Sequence, residues 1–154
     1  MTKDIEIKTI PPNDAETLRQ CAALVTEHSW GKEFPLQPFD EALRAEYHIC
    51  VRADVKVVGY ANVNRFASPD GKDNGEMWFA QVVVDPCHRQ RGILTAMHQN
   101  CFVYMQSKSG RILAGTDNPI MEKFFAAHGW QHLRNTLDEA GDPCHILEYP
   151  SRRA

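Results

Sequence analysis

No stretch of this 154-residue chain is apolar for long enough to cross a bilayer as a helix, which excludes a helical integral membrane protein. The opening residues, Met1-Thr2-Lys3-Asp4-Ile5, form no apolar leader, so export through a signal peptide is not expected. Positive charge is not in excess. The formal net charge of -3 leaves no basic footprint, and neither a nucleic-acid nor a membrane partner is expected. The five cysteines (Cys21, Cys50, Cys87, Cys101, Cys144) are odd in number and scattered, which argues against a disulfide framework and for free thiols in a reducing cytoplasm. Cys87-His88, His98 with Cys101, and Cys144-His145 do not form a paired zinc spacing, so no metal is expected. The Lys-Ser/Thr ending of a phosphate loop and the G-x-G-x-x-G of a dinucleotide fold are both missing, as are repeats and low-complexity tracts.

The length suits a single domain over residues 1–154 with one core. Ile5, Lys8 and Ile10 lie in a β-compatible run. Pro11-Pro12 closes it, and Asn13 with Glu16 reads as a capping box for a helix whose apolar face is Leu18, Cys21, Ala22 and Val25. Trp30 to Phe39 has no period and reads as a loop, with a short helix from about Asp40. Strands are expected at Tyr47–Arg52, Lys56–Phe66 and Glu76–Val84, the last two separated by the turn signal Ser68-Pro69-Asp70-Gly71. The run Val82-Val83-Val84 suits a strand end buried on both faces. A helix with Ile93, Met97, Cys101, Tyr104 and Met105 on its buried face stops at Gly110. Then come a strand over Arg111–Gly115 and a helix opened by Asn118-Pro119, with Ile120 and Phe124 on one side and its end at Gly129. Strands near Trp130–Asn135 and Cys144–Tyr149 close the chain, joined by a turn containing Gly141. The order is β-α-α-β-β-β-α-β-α-β-β. Its central strand–loop–helix–strand unit requires a right-handed crossover and a parallel strand pair.

Chemistry concentrates in Val82-Val83-Val84-Asp85-Pro86-Cys87-His88-Arg89-Gln90-Arg91-Gly92-Ile93-Leu94-Thr95. A strand ends and a short loop enters a helix directly, so the unpaired N–H groups of the first turn and the helix dipole make an anion site. Gly92 permits close backbone approach, Arg89 and Arg91 add positive charge, and Pro86 fixes the entry. The pattern reads equally as a pyrophosphate cradle or as a plain strand-to-helix connection with exposed arginines.

Val84-Asp85-Pro86-Cys87-His88-Arg89-Gln90-Arg91-Gly92-Ile93 resembles the acetyl-CoA motif of the GNAT superfamily, Arg/Gln-x-x-Gly-x-Gly/Ala with a hydrophobic-x-Pro-x-x-Arg lead-in. Asn118-Pro119-Ile120-Met121-Glu122-Lys123-Phe124-Phe125-Ala126-Ala127-His128-Gly129-Trp130 is similar to the superfamily's second signature, and the element order matches over nearly the whole chain. The resemblance implies an α/β (α+β) fold: a mixed, mostly antiparallel, twisted sheet of about seven strands, with a splayed parallel pair at its centre and about four flanking helices. It implies an N-acetyltransferase that uses acetyl-CoA as co-substrate and a small-molecule or peptide amine as acceptor, by direct attack in a ternary complex. Backbone groups of Val82, Val83 and Val84 would pair with the pantetheine arm, across the gap that the splay from Leu113–Gly115 leaves. The N–H groups of Arg89, Gln90, Arg91, Gly92, Ile93, Leu94 and Thr95 would hold the pyrophosphate. Asn118 would touch the coenzyme, and the Val82 N–H would polarise the acetyl carbonyl. Homodimerisation is a further expectation from the resemblance alone.

Two positions depart from the pattern. Leu94 stands where the family has Gly or Ala, and Phe125 stands where many relatives place a Tyr that protonates the leaving thiolate. Candidates for that acid are His128, Tyr104 or water. Phe125 also motivates an alternative reading, an acyl-CoA-binding sensor with little transferase activity. Glu76 is the candidate base for the attacking amine, set against a solvated strand-end carboxylate; His28, His48 and His88 also titrate in a useful range. Trp30, Phe34 and Tyr149 are candidate walls of the acceptor site, or core residues.

Overall fold

A computed structural model describes residues 5–11, 13–28 and 38–150, the side chains of Pro38 and Glu41 excepted. The described elements are β1 (Ile5–Thr9), α1 (Ala15–His28), α2 (Pro38–Leu43), β2 (Tyr47–Ala53), β3 (Lys56–Asn64), β4 (Met77–Val84), a 3-10 turn (Pro86–His88), α3 (Ile93–Gln106), β5 (Ile112–Thr116), α4 (Pro119–Ala127), β6 (Gln131–Leu137) and β7 (Pro143–Tyr149). The strands form a mixed sheet in the order β1-β2-β3-β4-β5-β7-β6. Its parallel pair is β4 with β5, registering Met77 with Ile112 and Trp78 with Leu113. The ladder has only these two registered pairs although β5 continues to Thr116. No helix among the described residues is long and apolar enough to cross a membrane.

The described residues divide into two compact units. One runs to Val63 and includes Gln81–Lys108; the other comprises Asn64–Ala80 and the residues from Ser109 onward. In the first, α1 is capped by Asp14 rather than Asn13. The Asp14 carboxylate accepts from the Thr17 backbone N–H at 3.2 Å and from its hydroxyl at 2.8 Å, which engages the third residue of the helix. Leu18, Cys21 and Val25 of α1 pack with Ala42 of α2 and with Cys50, Tyr60 and Val83. The β2–β3 hairpin turns through Asp54, at φ 57°. Gly59, one residue from Tyr60 and so on the opposite face, admits α3: a Cβ there would lie 2.9 Å from Ile93 Cγ2 and 3.3 Å from the Met97 sulfur. Ile93, Met97, Cys101 and Met105 form the buried stripe of α3, joined by His98, while Tyr104 is only half-buried.

β3 ends at Asn64 instead of Phe66 because the Asn64 side chain accepts from the Phe66 N–H at 3.1 Å and turns the chain out of the ladder. In the second unit, Trp78, Leu113 and Ile146 form an apolar cluster with Ala67 against it. A charged network surrounds the β3–β4 connection. Arg134 holds Asp70 at 2.9 Å through two nitrogens and Asp73 at 2.9 Å, and Arg111 holds Asp73 at 2.7 Å and Glu148 at 2.7 and 3.1 Å. The Arg134 guanidinium holds both aspartate carboxyls below the usual carboxylate range. On α4 the buried residue is Phe125; Ile120 is 76% exposed and Phe124 half-buried, so the apolar face is rotated from the one expected.

Candidate functional site

The end of β4 is buried on one face only. Val83 is buried, whereas Val82 and Val84 are half-exposed, in contrast to the two-sided burial expected of a triple valine. Just before them Gln81 sits at φ 52°, a left-handed conformation in the middle of a strand. Such a residue departs from extended strand geometry and re-aims the peptide that follows.

Beyond Val84 the chain is turned by Asp85, a residue that the motif alone does not single out. Asp85 is 4% exposed, its N–H donates to the Val58 carbonyl at 2.8 Å, and its carboxylate accepts from the Cys87 N–H at 2.8 Å. That hydrogen bond and nearby Lys56, 3.4 Å away, hold the carboxyl below its usual range against the opposing effect of burial. A local signal for this role exists: an Asp followed by Pro is an N-cap with proline at the first turn position.

The loop then carries two left-handed residues, Gln90 at φ 63° and Gly92 at φ 80°. Gly92 is the N-cap of α3 and supplies no side-chain hydrogen bond to the first turn. The N–H groups of Ile93, Leu94 and Thr95 therefore have no partner of the helical i to i−4 kind. A Cβ on Gly92 would meet nothing within 4 Å, so glycine is required for its conformation rather than by crowding, and the space ahead is open. Arg89, Gln90, Arg91 and Gly92 are exposed, Ile93 is buried, Leu94 is half-buried and Thr95 is exposed. Arg89 Nε donates to the Val84 carbonyl at 3.3 Å. Arg89 and Arg91 bring positive charge within four residues of the positive end of α3, which is unfavourable by itself and favourable with an anion bound there. The backbone donors, open space and cationic side chains fit a pyrophosphate.

Glu76, Asn118, Phe125, His128 and Tyr149 lie in the second unit, whereas Trp30 and Phe34 fall outside the described residues. Glu76 precedes β4, and its Oε1 accepts from the Arg111 backbone N–H at 3.0 Å. Asn118 caps α4, its side-chain oxygen accepting from the Ile120 N–H at 2.9 Å. Phe125 is 2% exposed and meets Phe79 edge-on, with Trp130 at 4.8 Å between ring centroids. His128 is exposed; its Nδ1 lies 2.8 Å from the Phe124 carbonyl and its ring 4.2 Å from the Phe124 ring. Tyr149 is half-buried, edge-on to Trp130, with its ring carbon 3.4 Å from where a Cβ on Gly129 would stand. Back in the first unit, Tyr104 stacks on Tyr47 at 4.2 Å and bonds Glu46 at 2.5 Å. Burial pushes His48 down to about 4, so it is neutral at physiological pH. Among the described residues no group of three His, Cys, Asp or Glu side chains is arranged to hold a metal ion.

Residues 15–130 match the model of the acetyltransferase (GNAT) family. The chain belongs to the GNAT acetyltransferase family. Members of the GNAT family use acyl-CoA. No curated protein sequence matches it. Among solved structures it is similar to the ribosomal-protein-S18-alanine N-acetyltransferase of Escherichia coli, at 14% identity and a TM-score of 0.70, covering 97% of this chain and 96% of that one. It is also similar to an acyl-CoA N-acyltransferase of Pseudomonas aeruginosa, at 14% identity and a TM-score of 0.72, covering 95% and 99%. An aminoglycoside 6'-N-acetyltransferase complexed with coenzyme A matches at 14% identity and a TM-score of 0.72, covering 97% and 99%. At these identities the likeness establishes the GNAT fold.

Proposed function

We propose that this GNAT chain is an acetyl-CoA-dependent N-acetyltransferase acting on a primary amine, by direct attack within a ternary complex. The observation that carries the reading is the unfinished start of α3, where a left-handed Gly92 with open space around it follows a loop that carries two exposed arginines. The N–H groups from Arg89 to Thr95 bind the pyrophosphate, and Arg89 and Arg91 balance its charge. The backbone of Val82, Val83 and Val84 takes the pantetheine arm as an added strand edge, favoured by the half-exposed Val82 and Val84. The Val82 N–H donates to the thioester oxygen as negative charge grows there. The amine must be neutral to attack, so a base removes its proton first. Glu76 is the candidate, yet its Oε1 is engaged by the Arg111 N–H, which favours a holding role and leaves the proton to water. Phe125 offers no proton to the departing thiolate. His128 Nδ1 lies against the Phe124 carbonyl and the Tyr104 hydroxyl donates to Glu46, so neither is held toward the thiolate by these bonds and solvent is the proposed proton source.

Phe125 also supports a second reading, a coenzyme-binding sensor without efficient transfer, because its ring is packed among aromatics where relatives carry an acid. Calorimetric titration with acetyl-CoA and free coenzyme A, followed by a thiol-release assay over an amine panel, separates the two. Saturable binding with amine-dependent thiol release supports the transferase. Binding without release supports the sensor. Failure to bind either nucleotide sinks both.

A further inference from the structure

Gln81 is an improbable occupant of the left-handed region. A side chain with a Cβ is strained there and persists only where the surroundings over-determine it. Here they do. Gln81 is 6% exposed, and its Oε1 accepts from Asn62 Nδ2 at 2.6 Å. The same nitrogen donates to the Tyr60 hydroxyl at 3.1 Å, and that hydroxyl lies 2.8 Å from His48 Nδ1. Tyr60 and Asn62 alternate along β3 and so share a face, and His48 registers with Asn62 across the β2–β3 ladder. All three are at most 1% exposed. With His48 neutral, the Tyr60 hydroxyl can accept from Asn62 and donate to Nδ1, which orients the row without any charge.

Burying four polar side chains in one row is costly unless each is satisfied, and an apolar row would fill the same space at less risk to folding. What the row supplies is direction. It ends on the one residue of β4 with a left-handed backbone, immediately before Val82.

We propose that Asn62 and Tyr60 are positioning residues for acyl transfer: through the Asn62–Gln81 hydrogen bond they hold the left-handed turn of β4 and thereby aim the Val82 N–H at the thioester carbonyl. The assignment rests on the proposed coenzyme site and on the role given there to Val82. It concerns the acyl group alone, so it can be tested before any acceptor amine is known.

The experiment compares the parent, Asn62→Leu and Tyr60→Phe, each shown to be folded by circular dichroism. Each is titrated with coenzyme A and with acetyl-CoA, and the carbonyl resonance of bound 1-13C-acetyl-CoA is recorded. In the parent the bound carbonyl should move downfield of the free thioester, and acetyl-CoA should bind more tightly than coenzyme A. In Asn62→Leu the affinity for coenzyme A should stay within about twofold of the parent, while the downfield shift and the preference for the acetylated form are lost. Tyr60→Phe, which keeps the Asn62–Gln81 bond, should lose part of both. An Asn62→Leu protein with the parent's full carbonyl shift and preference overturns the proposal and leaves the coenzyme site standing. If Asn62→Leu does not fold, an unchanged carbonyl shift in Tyr60→Phe overturns it instead. A parent that binds coenzyme A but shows no carbonyl shift removes Val82 from its role and the proposal with it. A parent that binds neither nucleotide overturns the coenzyme reading itself.

Discussion

Helices α3 and α4 both follow strands of the central sheet, but their first turns are finished differently. At α4, Asn118 accepts from the Ile120 N–H, Pro119 removes a donor that would otherwise need a partner, and Glu122 faces the positive end of the dipole. At α3, Gly92 offers no side chain, no acidic residue stands in the first turn, and Arg89 and Arg91 add like charge to the dipole. The two units repeat the contrast on a larger scale. Arg111 and Arg134 of one are engaged by Asp70, Asp73 and Glu148, whereas the loop before α3 in the other presents its cations outward. A helix start that is complete serves the fold. One left incomplete leaves backbone donors unengaged by the helix, as the proposed coenzyme site requires.

The sharpest way to break this contrast is Gly92→Val. A β-branched residue in the left-handed region costs on the order of 2 kcal/mol, so the helix start must shift and acetyl-CoA affinity should fall at least about tenfold. Calorimetry on a protein whose circular dichroism is unchanged would show it; an affinity equal to the parent's would remove the start of α3 from the site.

Arg134→Leu tests the other side. Opening the network should cost about 2 kcal/mol of stability with little change in coenzyme affinity. In the unfolded chain Asp70 and Asp73 take up protons near pH 4, above their folded values, so the unfolded state binds more protons there and stability falls as pH drops through that window. Denaturant melts between about pH 5 and pH 2 should show a steep loss for the parent and a shallower one for Arg134→Leu. Parallel curves would mean that the network does not govern acid stability.

A smaller effect is expected at Asn118. Asn118→Ala should cost about 1 kcal/mol through the lost cap, and Asn118→Asp should restore it. If Asn118→Asp recovers stability yet binds acetyl-CoA more weakly than the parent, the Asn118 amide touches the coenzyme as well as capping α4. The smallest change should come from Glu76→Gln, which keeps an acceptor for the Arg111 N–H. Stability should stay within about 0.5 kcal/mol of the parent and the pH–rate profile unmoved. A shifted profile would make Glu76 the base.

Much of the architecture is legible in the amino-acid sequence because its signals are local. Pro, Gly and Asx residues punctuate the chain, and periods of two and near four sort strands from helices between them, so the element order follows from the pattern. The cradle is legible for the same reason: strand end, Pro86, Arg89 and Gly92 lie within a few residues of one another. Even local signals mislead where two neighbours compete, as Asn13 and Asp14 do for the α1 cap. The rotated face of α4 cannot be found this way, because Ile120, Phe124 and Phe125 are all apolar and only the surrounding Phe79 and Trp130 decide which is buried.

The family, the order of strands and helices, and the loop proposed to hold the coenzyme could be read from the amino-acid sequence, since each depends on residues adjacent in the chain. Tertiary structure alone decided that Gln81 turns left-handed under the hold of Asn62, and that Arg134 closes on Asp70 and Asp73. It also decided that Phe125 sits inside an aromatic cluster. These depend on partners brought together across the chain by the sheet, and hydrogen bonds and ring contacts act over a few ångströms of space whatever the distance in sequence.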